Sequence, residues 1–315
     1  MLSLEPNFFH NIVFNLRMEN SKRVSIWIKA VRPQTLPAAF VPVCVGAALA
    51  YHDQLLLWDA TIVALMCAFL IQIGTNFAND YFDFKKGADT DQRIGFERAT
   101  AKGLISADAM RNATIITMGL AFLLGLYLVW HAGWAIFWIG TASLIFGILY
   151  TGGPFPLGYN GLGDIFVFVF FGIVAVMGTY YVNALEWSNA SFWASLAVGA
   201  LATNILVINN LRDVDQDKIA GKNTLGVILG EGALRWEYLL MLLLALAIPP
   251  HFYFQLGYEA TIFLPFLISP YGFTQLYKVW FWDDKHKFNK VLEHTARFMT
   301  FYGILFSIGI IVDHL

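Results

Sequence analysis

Long apolar runs dominate this chain, and polar residues interrupt them at only a few places. Nine stretches, near 34–52, 57–80, 108–130, 133–152, 163–186, 190–211, 236–255, 258–280 and 295–314, are mostly apolar. Each approaches the roughly 20 apolar residues that a helix needs to cross a bilayer. Polar or Gly/Pro punctuation separates them, and two of the polar loops are long, residues 81–107 and 212–235. The pattern predicts an all-α, polytopic membrane protein with nine transmembrane helices, built as a short N-terminal segment (1–30) and one transmembrane domain (31–315). Ala48-Leu49-Ala50 has the look of a signal-peptidase site. The charged stretch before it is about twice too long for a leader, so the run reads as a retained span. Within residues 8–16, Phe8, Phe9, Ile12, Val13 and Leu16 share a helical face, which suits either a membrane-surface segment or an inert extension.

Composition agrees with that pattern: 58% of the 315 residues are hydrophobic and 13% are charged, where a soluble domain carries about a quarter charged residues. The net charge of −2 argues against a nucleic-acid partner. Cys44 and Cys67 lie inside apolar runs and offer neither a disulfide framework nor a paired-cysteine metal site.

The bases orient the chain. Arg17, Lys22, Arg23, Lys29 and Arg32 precede the first span, and Lys85, Lys86, Arg93, Arg98, Lys102 and Arg111 lie between the second and third. Arg212, Lys218, Lys222 and Arg235 join the sixth to the seventh, and Lys278, Lys285, Lys287, Lys290 and Arg297 lie between the eighth and ninth. With nine spans, all 20 Lys and Arg fall on one side, and the positive-inside rule makes that side cytoplasmic. The N-terminus and both long loops are then expected inside, with the C-terminus outside.

Charges at the ends of membrane helices are costly and mark function. Asp80, Asp83, Asp89 and Asp91 end the second span and begin its loop, and Asp213, Asp215 and Asp217 follow the sixth. Asn76, Asp80 and Asp83 share a helical face, as do Asn209, Asp213 and Asp217, whereas Asp215 points off that face. Gathered carboxylates repel unless a cation sits between them. Mg2+ suits such a site, since it takes one or two protein carboxylates together with phosphate oxygens. Arg93 and Lys102 near the first cluster, and Arg212, Lys218 and Lys222 near the second, add phosphate-binding charge. Two facing clusters therefore read as a diphosphate clamp. Asp89-Thr90-Asp91-Gln92 and Asp213-Val214-Asp215-Gln216 also resemble each other weakly, as an internal duplication would.

Asn79-Asp80-Tyr81-Phe82-Asp83 with Lys85-Lys86-Gly87-Ala88-Asp89, and Asn209-Asn210-Leu211-Arg212-Asp213 running to Asp217 and Gly221-Lys222-Asn223-Thr224-Leu225, resemble the two aspartate-rich motifs of the UbiA superfamily of intramembrane prenyltransferases. Arg32-Pro33-Gln34-Thr35-Leu36-Pro37, Tyr150-Thr151-Gly152-Gly153-Pro154 and Gly161-Leu162-Gly163-Asp164 extend the likeness over nearly the whole chain from about residue 25. Where the general first motif has its third acid, this chain has Gly87, and the acid comes later at Asp89. That lengthened spacing resembles the 1,4-dihydroxy-2-naphthoate polyprenyltransferase branch. Residues 151–163 contain no base, where the general family often has a lysine.

The resemblance implies a Mg2+-dependent transfer of a polyprenyl group from its diphosphate to an aromatic acceptor, 1,4-dihydroxy-2-naphthoate in this branch, with loss of CO2 and diphosphate, in menaquinone biosynthesis. It implies Asp80, Asp83, Asp89, Asp213 and Asp217 as metal residues. Asn76, Asn79, Asn209, Arg93, Lys102, Arg212 and Lys222 would hold substrate, and Tyr150 would lie near the allylic cation. The bacterial inner membrane is the implied location. Sister enzymes using 4-hydroxybenzoate, homogentisate or a lipid alcohol remain alternatives. A cation transporter is the rival from another class, and it would place acids near the midplane instead of at one face. The seven histidines are scattered without ligand spacing and read as loop or surface residues. Prenyl chain length and oligomeric state are not written in the chain.

Overall fold

A computed structural model describes residues 22–88 and 94–314, and these are almost entirely helical, with no strand among them. Helix α1 (22–31) and α2 (Pro37–His52) form a pair bent by 52°. The cause is local. Pro33 disfavours the α conformation at the residue before it, and Arg32 turns into the left-handed region at φ 57° before a single 3-10 turn, Pro33–Thr35. The chain continues through α3 (Trp58–Lys85), α4 (Ala107–Ala132), α5 (Trp134–Leu149), α6 (Gly163–Ala184), α7 (Asn189–Ile219), the short α8 (Leu225–Leu229), α9 (Glu231–Gln255), α10 (Ser269–Phe281) and α11 (Phe288–His314).

All-α architecture is as expected, and helix lies at each of the nine apolar stretches. The expected count of nine spans is not confirmed. Six helices are long and apolar enough to cross a membrane, or seven if the bent pair counts as one span, among the described residues. The two shortfalls have visible causes. Helix α5 has only 16 residues, and the 258–280 stretch divides into a 3-10 segment, Ala260–Ile268, and the 13-residue α10. The amphipathic face within 8–16 lies outside the described residues.

Helix α7 is the axis of the bundle, with 78% of its apolar window buried. It is lined with small residues, among them Ala194, Ala197, Gly199, Ala200 and Ala202. Helices in lipid gain little from the hydrophobic effect and rely on close backbone approach, which small residues permit. The tightest crossing is with α6, whose middle turns, Phe168–Val174, are π-helical. A Cβ on Gly172 would lie 2.6 Å from the Ser195 carbonyl oxygen and 2.7 Å from the Gly199 Cα. Outward-facing Ile115, Leu123, Trp130 and Trp134 present the apolar and aromatic surface that lipid requires.

The four basic segments meet at one end of this bundle. Lys29 pairs with Glu97 at 3.8 Å, Asn289 Nδ2 donates to the Ile94 carbonyl at 3.0 Å, and Lys285 Nζ donates to the Leu211 carbonyl at 3.0 Å. At the other end His52 bridges Asp53 and Asp313 at 2.8 and 2.9 Å, tying the end of α2 to that of α11.

Replacing Gly172 with alanine forces α6 and α7 apart, and the expected destabilisation is about 1–3 kcal/mol, as for overpacked cores. Gly119→Ala, where nothing lies within 4 Å, serves as the control. Thermal unfolding in detergent should lower the midpoint of the first variant only.

Candidate active site

Helices α3 and α7 both run past their expected ends, α3 to Lys85 and α7 to Ile219, so Asp80, Asp83, Asp213, Asp215 and Asp217 stand on helix and not on loop. Both then stop in the same way. Gly87 (φ 65°) and Gly221 (φ 70°) adopt the left-handed conformation four residues after Asp83 and Asp217. The next amides fold back, Ala88 N–H to the Asp83 carbonyl at 3.0 Å and Lys222 N–H to the Asp217 carbonyl at 2.8 Å. This is the glycine-capped helix end, which an L side chain at either glycine would strain. The structural echo between the halves therefore lies at Asp83 to Gly87 and Asp217 to Gly221. Residues 89–92, one half of the expected repeat, lie outside the described residues.

A cavity of about 380 Å3 lies between these helix ends and the middle of the bundle. Its lining along α3 extends from Ala64 to Asp83, a rise of about 28 Å at 1.5 Å per residue. The deep part is apolar, with Cys67, Leu128, Ile136, Ile139 and Val182. The other end carries Asn79, Asp83, Asn209, Asp213, Asp217 and Lys222, and Asn76 and Tyr150 also line the wall. No histidine does.

Asp83 is 2% exposed and carries three partners. Arg98 Nη2 donates to its Oδ2 at 2.7 Å; Tyr159 O–H donates to Oδ1 at 2.5 Å, and Lys222 Nζ to the same oxygen at 3.2 Å. The second cluster is held differently. Arg212 donates from Nε and Nη2 to the two oxygens of Asp213 at 2.7 and 2.6 Å, from Nη2 to Asn209 Oδ1 at 2.7 Å, and from Nη1 to Asn289 Oδ1 at 2.8 Å. Thr224 O–H donates to Asp217 at 3.4 Å, and Thr151 O–H donates to Asn79 Oδ1. Lys222 is thus the bridge between the clusters, its backbone on Asp217 and its ammonium on Asp83.

Three expected residues stand elsewhere. Asp80 is buried but does not line the cavity; its two carboxylate oxygens accept from the backbone amides of Ala99 and Thr100 at 3.0 and 3.1 Å. The cavity face of α3 is centred on Gln72, Asn79 and Asp83, and a step of about 100° per residue turns Asp80 off it. Arg212 is also absent from the lining and sits behind Asp213, over the Phe96 ring at 5.7 Å. Lys102 is exposed at the surface, away from the lining. Asp89 and Arg93 lie outside the described residues.

Sequence spacing missed Arg98 and Tyr159, both contributed by loops, where no helical period marks a direction. Tyr159 also carries Lys86 Nζ at 4.5 Å and Lys222 Nζ at 4.6 Å over its ring. Lys86 Nζ donates to the Thr151 carbonyl at 2.6 Å. Partial removal from water pulls the Lys86 pKa below the ordinary lysine value, against the opposing pull of Asp83.

The donor set suits a hard divalent cation: carboxylate and amide oxygens at the mouth of a cavity. No three acids, histidines or cysteines among the described residues gather into a closed cage. An open set of this kind fits Mg2+, which keeps waters and shares substrate oxygens.

Comparison with known proteins agrees with this geometry. Residues 39–302 match the UbiA prenyltransferase family. The 1,4-dihydroxy-2-naphthoate octaprenyltransferase of Escherichia coli (strain K12) is 39% identical over 92% of this chain and 96% of its own length. The enzyme of the same name from Bacillus subtilis (strain 168) is 31% identical, over 92% of this chain and 93% of its own. Among solved structures, the apo UbiA homolog from Aeropyrum pernix K1 superposes with a TM-score of 0.67 at 17% identity, covering 91% of this chain and 98% of that one. The UbiA homolog from Archaeoglobus fulgidus, bound to DMAPP and Mg2+, gives 0.63 at 15% identity over 90% and 99%. With its fold, its acid-tipped cavity and its sequence all in agreement, the chain belongs to the UbiA prenyltransferase family.

Proposed function

We propose that this protein transfers a polyprenyl group from polyprenyl diphosphate to 1,4-dihydroxy-2-naphthoate, releasing diphosphate and CO2 and giving demethylmenaquinol for menaquinone biosynthesis. The observation that carries this reading is a cavity that is apolar along its depth and acid-rich at its mouth. A polyprenyl diphosphate has the same division, a hydrocarbon tail joined to an ionic head. The choice of acceptor rests on the relatives named above and on the motif spacing.

In this reading Asp83, Asp213 and Asp217, with Asn79 and Asn209, hold Mg2+ together with the diphosphate. When bound, the metal neutralises charge developing on the leaving group. Lys222 and Arg98 reach the same head, being already placed on Asp83. Arg212 and Asp80 act as positioning residues. Arg212 fixes the carboxylate of Asp213 and the amide of Asn209, and Asp80 fixes the backbone at residues 99–100 so that Arg98 can reach Asp83. Asn76 lies deeper and braces the wall, donating to the Val31 carbonyl at 2.9 Å and to Thr35 Oγ1 at 3.1 Å.

The allylic cation left by departing diphosphate must meet the aromatic ring before water. The apolar walls keep water out, and Tyr150, on the cavity wall, offers the cation a π face. Attack from the carboxyl-bearing carbon lets loss of CO2 restore aromaticity. No strong base is then required. The bases gathered at the acid-bearing end support a cytoplasmic orientation for that end, with the N-terminus on the same side, and in this reading the membrane is a bacterial inner membrane.

Two outcomes test the assignment of residues. Asp83→Ala and Asp213→Ala should each reduce turnover of polyprenyl diphosphate and dihydroxynaphthoate by at least about 100-fold, the scale lost when transition-state charge stabilisation is removed. Size-exclusion profiles should stay as in the wild type, and near-normal rates in either variant would remove the metal assignment. Asp80→Ala should instead retain measurable turnover, with a raised KM for polyprenyl diphosphate and faster proteolysis in the 94–106 segment. Offering 4-hydroxybenzoate and homogentisate in the same assay tests the acceptor, and faster turnover of either would replace dihydroxynaphthoate.

A further inference from the structure

Lys86 has no part in the motif chemistry described above, yet its surroundings are unusual. It follows the last residue of α3, with its ammonium pinned by two neutral groups, the Thr151 carbonyl at 2.6 Å and the Tyr159 ring at 4.5 Å. Neighbouring bases differ. Arg98 and Lys222 both form ion pairs with Asp83, whereas no carboxylate of a described residue stands within ion-pair distance of Lys86.

A cation held by a carbonyl and a π face keeps most of its capacity to bind an anion. A phosphate oxygen makes a charge-assisted hydrogen bond that is stronger than one to a neutral carbonyl. Position gives the direction. Lys222 lines the cavity and Lys86 does not, although both lie over the same ring. Lys86 is exposed where Lys222 is half-buried, so Lys86 stands on the solvent-facing side of the mouth. Tyr159 is well fixed as the platform: its hydroxyl donates to Asp83 at 2.5 Å and its carbonyl accepts from Asn223 N–H at 2.8 Å, so it is tied to both acid-bearing ends.

We propose that Lys86 is a further substrate-binding residue, gripping the phosphoryl group farther from the prenyl carbon, with Tyr159 as the platform that places it beside Lys222. The proposal rests on the diphosphate reading of the cavity mouth and adds to it a cation from the end of α3. Its role is to bind the diphosphate head. It makes no contact with the acceptor.

Lys86→Gln tests it, with Lys85→Gln as the neighbouring control and Lys86→Arg as the conservative variant. Lys86 is exposed at a helix end, so folding should not depend on it. The expected result for Lys86→Gln is a KM for polyprenyl diphosphate raised about 10-fold, the loss of one good charged contact. The acceptor KM and kcat at saturation should stay within about twofold of wild type, and Lys86→Arg should recover most of the loss. Calorimetric binding of inorganic diphosphate with Mg2+, which needs no acceptor, should weaken by a similar factor in Lys86→Gln and not in Lys85→Gln. Wild-type KM and wild-type diphosphate binding in Lys86→Gln would overturn the role of Lys86 while leaving the proposed reaction standing. An effect confined to the acceptor KM would overturn it as well. A wild-type protein that does not bind Mg2+ and diphosphate at all would overturn the reading on which the proposal rests.

Discussion

The arrangement at the mouth of the cavity depends on the cost of holding the Asp83 carboxylate out of water. A buried charge that loses its partner costs about 3–5 kcal/mol, and Asp83 is 2% exposed. Its partners come from three separate connections: Arg98 from the α3–α4 loop, Tyr159 from the α5–α6 loop and Lys222 from the turn after α7. Satisfying one carboxylate therefore draws three loops over the end of α3. The Arg212 fan does the same for the second cluster, reaching Asp213, Asn209 and, from the first turn of α11, Asn289. Charge is placed first, and the loops follow.

The same constraint explains how a site for an ionic head can sit at the end of an apolar cavity. Without substrate, the acids and bases neutralise one another, so the low-dielectric wall meets no large unpaired charge. When a diphosphate and its metal enter, acids and bases can each turn to a partner of opposite sign without loss of overall balance. Below this knot the lining is apolar for most of the depth of the bundle, the surroundings a hydrocarbon tail and a water-sensitive allylic cation require. The close crossing of α6 and α7 at Gly172 and Gly199 holds one wall of that depth in place.

Much of this was legible in the sequence. Apolar runs located the long helices of the bundle, though not α1 or the short α8, and the base distribution predicted the end where charges gather. Helical spacing brought Asn209, Asp213 and Asp217 to the cavity correctly, since α7 stays straight through them. Spacing was less sharp on α3. Asn76, Asp80 and Asp83 do share a broad face, but the cavity takes only part of it, and Asp80 turns instead to the amides of residues 99 and 100. Arg212 reads as a phosphate ligand because it is basic and adjacent, yet its place on the helix puts it behind Asp213. Arg98 and Tyr159 carry no periodic signal, because their direction is set by loop closure onto a distant carboxylate. The count of nine spans is not confirmed for a related reason: hydropathy does not show that Ala260–Ile268 winds as a 3-10 segment.

In the proposed reaction the charged mouth and the apolar depth serve one sequence, ionisation of an allylic diphosphate followed by capture at the carboxyl-bearing carbon of the acceptor. The stoichiometry of products tests it most directly, using purified protein with Mg2+, polyprenyl diphosphate and carboxyl-labelled dihydroxynaphthoate. Diphosphate, CO2 and prenylated naphthalenediol should form in equal amounts throughout the time course. Diphosphate released without labelled CO2, or a prenylated product that keeps the label, would contradict it.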